Sequence, residues 1–185
     1  MARHQILIVG GGAAGITVAA QLKRARPSLD VAILEPSGEH YYQPGWTLVG
    51  GGVFSLEETR RAARDLIPSG VYWIQAGAAG FDPDHNSVTT TTAGDSLSYD
   101  VLIVATGLKL CWDKVAGLTE ALGQGGVCSN DSKDFAPYTW EAIQAIQGGN
   151  AVFTCARCRS SAPAPPRRSP TSPTTCSRRS VSTPG

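Results

Sequence analysis

A chain of 185 residues is the size of one ordinary domain. Its net charge of +1 conceals two unlike parts: residues 1–154 hold 10 of the 16 basic and all 15 acidic residues, a net of −5, while residues 155–185 hold six Arg and no acid, a net of +6. Composition argues against two classes: no run of about 20 apolar residues offers a membrane-spanning helix, and five cysteines, three of them beyond Thr154, do not make a secreted disulfide framework. The start, Met1-Ala2-Arg3-His4, lacks the apolar stretch and cleavage site of a signal peptide, so a reducing, cytoplasmic setting is expected.

Residues 5–9 read as a buried parallel strand, and a helix then runs through Ile16, Val18, Leu22 and Ala25 to Pro27. Asp30–Leu34 is a second apolar strand, completing a βαβ unit. Residues 36–54, rich in Gly and aromatics, read as a long loop, of a length that is usually functional or disordered. Ser55-Leu56-Glu57-Glu58 is a capping box that predicts a helix ended by Pro68 and Gly70. Val71–Ile74 is a short strand, and Ser87–Thr92 and Leu97–Tyr99 flank the turn Ala93-Gly94-Asp95 as a β-hairpin. Val101–Ala105 is another buried strand. Thr139–Ile146 reads as a helix stopped by Gly148-Gly149, and Ala151–Thr154 as the start of a strand.

The chemistry begins where the first strand meets the first helix. Gly10, Gly12 and Gly15 fall in the G-x-G-x-x-G pattern, and Glu35 follows 20 residues after the last of them. Bare glycines let the backbone approach a pyrophosphate, and the helix N-terminus adds amide donors and a positive dipole end. Glu35 is placed to accept from a ribose diol, and its carboxylate disfavours a 2′-phosphate, hence NADP. A glycine turn that only joins strand to helix is the alternative. A second motif, Tyr99 to Gly107, ends a strand in Ala105-Thr106-Gly107, so Thr106 and Gly107 bring more bare backbone towards the same ligand. This pairing of motifs resembles two-dinucleotide-domain flavoproteins, which implies FAD before NAD as first ligand.

The third segment, His40-Tyr41-Tyr42-Gln43-Pro44-Gly45-Trp46-Thr47-Leu48-Val49-Gly50-Gly51-Gly52, resembles the corresponding loop of sulfide:quinone oxidoreductases. The capping box, Leu108–Val115 and Gly126-Val127-Cys128-Ser129-Asn130 fit that family too, and the resemblance spans residues 4–154. It implies an α/β fold, a Rossmann-like three-layer FAD-binding domain over 1–150, incomplete at its C-terminus, with 151–154 opening a second domain. It implies FAD as cofactor, sulfide and a membrane quinone as partners, and peripheral attachment to the inner membrane in an intact member. Gln43 and Pro44 become flavin neighbours. Tyr41, Tyr42 and Trp46 read alternatively as a core patch. Cys128 matches a position where many members carry a cysteine near the redox centre, a catalytic candidate whose alternative is a structural thiol. Cys111 reads as a core thiol, and His4, His40 and His85 as surface or structural residues without a metal.

Residues 155–185 change character: Pro, Ser, Arg and Thr dominate, and Val181 is the one aliphatic larger than Ala. Such a composition buries too little to offset chain entropy, so a disordered tail is expected. Cys155-Ala156-Arg157-Cys158 lacks the context of a redox or zinc pair, and the Arg-rich tail lacks a fold that would make it a nucleic-acid site. A shifted reading frame accounts for more. Written in suitable codons, Cys158–Arg168 read two bases later gives Pro-Ile-Lys-Cys-Ala-Gly-Ala-Pro-Gln-Lys, the reactive segment the family carries at this point. Its cysteine would lie across the Ser161–Ala162 codons. In the family that cysteine pairs with a second one downstream, sulfide attacks the pair, and the electrons pass through flavin to quinone. The expectation is therefore a truncated, inactive or impaired form. Two other readings remain: a fragment of an NADH:quinone-type flavoprotein dehydrogenase, which shares both glycine motifs, and a non-enzymatic nucleotide-binding protein, which requires the tail to be genuine.

Overall fold

The apolar runs of the N-terminal third become the centre of a sheet. In the computed structural model, which describes residues 2–154, β1 (Ala2–Val9), β2 (Val31–Leu34), β5 (Val71–Ile74), β6 (Ala78–Asp82), β7 (Ser87–Thr90) and β8 (Ser96–Val104) form one sheet in the order β5-β2-β1-β8-β7-β6. β1 pairs in parallel with both β2 and β8, and β2 with β5, whereas β6-β7 and β7-β8 are antiparallel. The chain divides into two units, residues 1–142 and 143–185. The frame-shifted tail expected over 155–185 lies outside the described residues.

Side-chain alternation sorts the core of the first unit into two faces. Ile6 and Ile8 of β1 join Val31 and Ile33 of β2 and Ala19 of helix α1 (Ala13–Ala25) on one face. Leu7 and Val9 join Ala32 and Leu34 on the other, closed by Val88, Leu97 and Tyr99 from the antiparallel strands. Helix α1 thus covers one face, and side chains from the antiparallel end of the same sheet close the other. Strands buried on both faces read as unbroken apolar runs, which is why Ile6–Val9 and Val31–Leu34 are legible in sequence. Leu7, Ile8, Ile33 and Leu34 are each fully buried, stabilising the fold by about 1.5–3 kcal/mol apiece.

Several expectations are corrected. The segment 36–54 is not a plain loop: β3 (Glu39–Tyr41) is followed by a 3-10 turn, Gln43–Gly45, and the short helix α2 (Trp46–Gly50). The capping box forms, with the Ser55 N–H donating to Glu58 Oε2 at 2.7 Å and the Glu58 N–H to Ser55 Oγ at 3.3 Å. It opens one 3-10 turn, Glu57–Thr59, and no long helix. The chain passes instead into β4 (Arg60–Ala62), antiparallel to β3. Backbone groups a helix would use internally are taken elsewhere: the Thr59 carbonyl accepts from Tyr42 N–H at 2.7 Å, and Ala63 N–H donates to the Gly38 carbonyl at 2.9 Å. Arg60 bonds to Glu39 across the ribbon and to Glu57 at 2.8 Å. Pairing with β3 thus overrides the helical propensity of Leu56–Ile67.

The strands at Leu97–Tyr99 and Val101–Ala105 are one element, β8, whose start pairs with β7 and whose whole length pairs with β1. β6 was not legible, since Ala-Ala-Gly-Phe-Asp carries no β-branched residue and its pairing is irregular between Ala78 and Gly80. A short helix, α3 (Leu118–Ala121), precedes α4 (Ala136–Gln144), which starts three residues earlier than expected. Residues 151–154 form no strand: among the described residues nothing pairs with them, and Val152 and Phe153 are exposed. A strand without a partner satisfies none of its backbone groups.

Candidate functional site

The glycine turn at the C-terminal end of β1 is shaped by three different demands. Gly10 has φ +109°, and a Cβ there would meet the Ala105 carbonyl oxygen at 2.3 Å. Gly15 is packed under the turn, where a Cβ would lie 1.9 Å from the Gly10 carbonyl oxygen. These two let β1, α1 and the end of β8 close on one another. Gly12 differs: a Cβ there would meet nothing within 4 Å. It is the N-cap of α1, no side chain caps that end, and no acid occupies the first turn. A backbone edge open to its surroundings at a helix N-terminus is an anion cradle.

Glu35 closes one side. Its Oε2 accepts the Gly11 N–H at 2.7 Å and its Oε1 the Ser37 N–H at 2.8 Å. A Cβ on Gly11 would meet the Glu35 side-chain carbons at 2.7 Å, so Gly11, which the spacing pattern leaves unspecified, is as constrained as its neighbours. Ala105, Thr106 and Gly107 close the other side. The Ala105 N–H bonds to the Val9 carbonyl at 2.7 Å, Thr106 and Gly107 are exposed, and Gly107 also faces open space. The structure therefore brings together Gly10, Gly12, Gly15, Glu35, Thr106 and Gly107, drawn from two motifs some 90 residues apart.

Gln43 and Pro44 sit in the exposed 3-10 turn before α2. Pro44 accepts the Thr47 hydroxyl at 3.0 Å and Gln43 the Trp46 N–H; their hydrogen bonds stay within this turn. Tyr41 and Trp46 meet edge to face at 6.4 Å while Tyr42 is exposed, so the three aromatics are not a shared core patch. Cys128 is half-buried with a free thiol. Its segment is held by Gly126 N–H donating to Tyr138 Oη at 3.0 Å and by Val127 bonding to Gln124 at 3.0 Å. Cys111 is exposed, correcting its reading as a core thiol. His4 pairs with Asp30 at 3.0 Å and His85 with Asp82 at 2.8 Å.

Contacts that pattern reading missed tie α2 to the Cys128 segment. A Cβ on Gly50 would lie 2.1 Å from Asn130 Oδ1, and one on Gly52 would lie 2.4 Å from the Trp140 ring. The run Gly50-Gly51-Gly52 is thus the seat on which residues 130 and 140 rest. Asn130 Oδ1 and Trp46 Nε1 are buried without a partner among the described residues. The sequence signal was the glycine run itself, which names no partner.

Comparison with known proteins places this geometry. The family model "Pyridine nucleotide-disulphide oxidoreductase" matches residues 4–138. The mitochondrial sulfide:quinone oxidoreductase of Dictyostelium discoideum is 47% identical over 152 residues, 81% of this chain and 33% of its own length. That of Mus musculus is 44% identical over 151 residues, 82% of this chain and 33% of its own. The crystal structure of the sulfide:quinone oxidoreductase of Aquifex aeolicus superposes with a TM-score of 0.58 at 26% identity, covering 78% of this chain and 32% of that one. The chain therefore spans about a third of the length of the curated relatives it matches. With its glycine turn, docked acid and Ala-Thr-Gly strand end on one edge of the sheet, this chain belongs to the pyridine nucleotide-disulphide oxidoreductase family.

Proposed function

We propose that residues 1–150 are the FAD-binding part of a flavoprotein that oxidises sulfide and reduces a quinone. The observation that carries the first half of this reading is the cradle: an uncapped helix N-terminus, Gly12 and Gly107 facing open space, and Glu35 docked on Gly11. The donor set suits an adenosine diphosphate moiety. The amides at the start of α1 would take the pyrophosphate, and Glu35, with acceptor capacity left on both oxygens, the ribose diol. Thr106 and Gly107 would flank the same moiety, and Gln43 and Pro44 the flavin. Bound there, the flavin would accept an electron pair from sulfide and deliver it to quinone.

Similarity to the Dictyostelium and mouse proteins supports sulfide and quinone over NADH as the substrates. Cys128 enters as the redox-side thiol of the same part. A cytoplasmic setting and no nucleic-acid partner belong to the same reading, with peripheral attachment to a quinone-bearing membrane assigned to an intact family member; among the described residues no helix is long and apolar enough to cross a membrane. In the present frame residues 158–168 do not spell the reactive cysteine segment expected of the family, and the same reading expects impaired sulfide oxidation. Calorimetric titration of the full chain with ADP and FAD tests the cradle. A sulfide- and NADH-dependent quinone reduction assay on the chain with its frame restored after Thr154 tests the chemistry. Nucleotide binding without sulfide activity in the restored protein would retain the cradle and overturn the substrates.

A further inference from the structure

We infer that Trp73 is a positioning residue for the ribose-binding carboxylate, acting through the backbone of Glu35. The inference rests on the cradle reading above and extends it to a residue outside both glycine motifs. β2 and β5 pair in register from Val31 with Val71 to Leu34 with Ile74, and the ladder ends there. Glu35 lies one residue past that end. Its N–H still reaches the Ile74 carbonyl at 3.0 Å, but its own carbonyl has no ladder donor. The next residue, Pro36, has no N–H and holds Glu35 to extended backbone. The indole Nε1–H of Trp73, on β5, fills the vacancy and donates to the Glu35 carbonyl at 2.9 Å.

Glu35 is thereby held at four points: its N–H, its carbonyl, and one amide on each carboxylate oxygen. Deleting the indole donor frees the peptide between Glu35 and Pro36 to rotate, and the carboxylate moves with it relative to the Gly11 amide. The pyrophosphate amides belong to a different element, α1, and do not depend on this bond. Trp73 should therefore control recognition of the sugar and not of the phosphates.

The test uses the full chain, Trp73→Phe, and a second form in which Trp73 is replaced by its benzothienyl isostere, which keeps the bicyclic shape and removes the N–H. ADP and 2′,3′-dideoxy-ADP are titrated calorimetrically against each. Loss of one hydrogen bond is expected to weaken ADP by about three- to ten-fold while dideoxy-ADP stays within about two-fold. The benzothienyl form should behave as Trp73→Phe does, and it decides the question if the phenylalanine variant does not fold. Equal weakening of both nucleotides, or unchanged ADP affinity in the isostere, overturns the inference. A wild-type chain that binds ADP and dideoxy-ADP alike shows instead that Glu35 does not read the ribose, and the ribose half of the cradle reading falls while its phosphate half stands.

Discussion

At the scale of single residues, the carboxylate of Glu35 does two tasks with four lone-pair directions. Two are spent on the amides of Gly11 and Ser37, and on the proposed reading those that remain would accept from a diol. Glu35→Gln keeps the size and removes one acceptor, so one of the two amides loses its partner or is met by an NH2 group. We expect ADP affinity to fall about ten- to a hundred-fold, the range for a hydrogen bond to a charged group. The preference for ADP-ribose over its 2′-phosphorylated analogue should narrow at the same time, because the repelling charge is gone. Calorimetry with both ligands decides it; an unchanged preference would mean that Glu35 does not face the 2′ position. Sequence reading found Glu35 by its spacing but not Gly11, because the fingerprint fixes only positions that face the phosphate or the helix, and Gly11 is required by Glu35 itself.

At the scale of elements, legibility followed whether the information was local. β1, α1 and β2 carry their own apolar periods, and the Thr92–Asp95 turn its own Gly94, so both the βαβ unit and the hairpin could be read. The capping box was also read correctly as chemistry, yet the helix behind it is absent because β3 takes its backbone groups. Glu58 is held below the ordinary glutamate pKa, first by the Ser55 N–H and then by the Ser55 hydroxyl. A lowered folded-state pKa contributes stability above the unfolded value, lost as pH falls through the folded one. The Ser55 amide should therefore titrate by NMR below the free glutamate range, and Glu58→Gln should abolish that step; a midpoint at the ordinary glutamate value would refute the box in solution. The seat of α2 makes a second element-scale prediction. Gly50→Ala drives a methyl into Asn130 and should cost about 1–3 kcal/mol in urea unfolding. Asn130→Ala removes an acceptor that has no partner among the described residues, so the double variant should regain most of the loss, a coupling of about 0.5–3 kcal/mol. Additive losses would show that the two residues do not share the space.

For the molecule as a whole, the proposed reading divides the cofactor unevenly among the described residues. The adenosine end has a built cradle in which three strand ends and a helix meet, and two motifs far apart in sequence are held within contact there. On the proposed reading the flavin end would be represented by Gln43 and Pro44, exposed in a turn whose hydrogen bonds are its own, and by Cys128, two residues before Asn130, which rests on α2. The first was legible because close backbone approach demands glycine and leaves a pattern. The second was legible only by resemblance, since contact between α2 and residues 126–130 is set by shape and not by a repeated spacing. Affinity should divide in the same way. Most of the binding free energy of FAD to the 185-residue chain should come from its ADP half, so ADP and FAD are expected to bind within about ten-fold of each other, under 1.4 kcal/mol. FMN should show no saturable binding at concentrations that fill the site with ADP, and the purified protein should be close to colourless. A yellow protein carrying one tightly held FAD, with ADP orders of magnitude weaker, would mean that this chain grips the isoalloxazine through contacts that Gln43, Pro44 and Cys128 do not reveal.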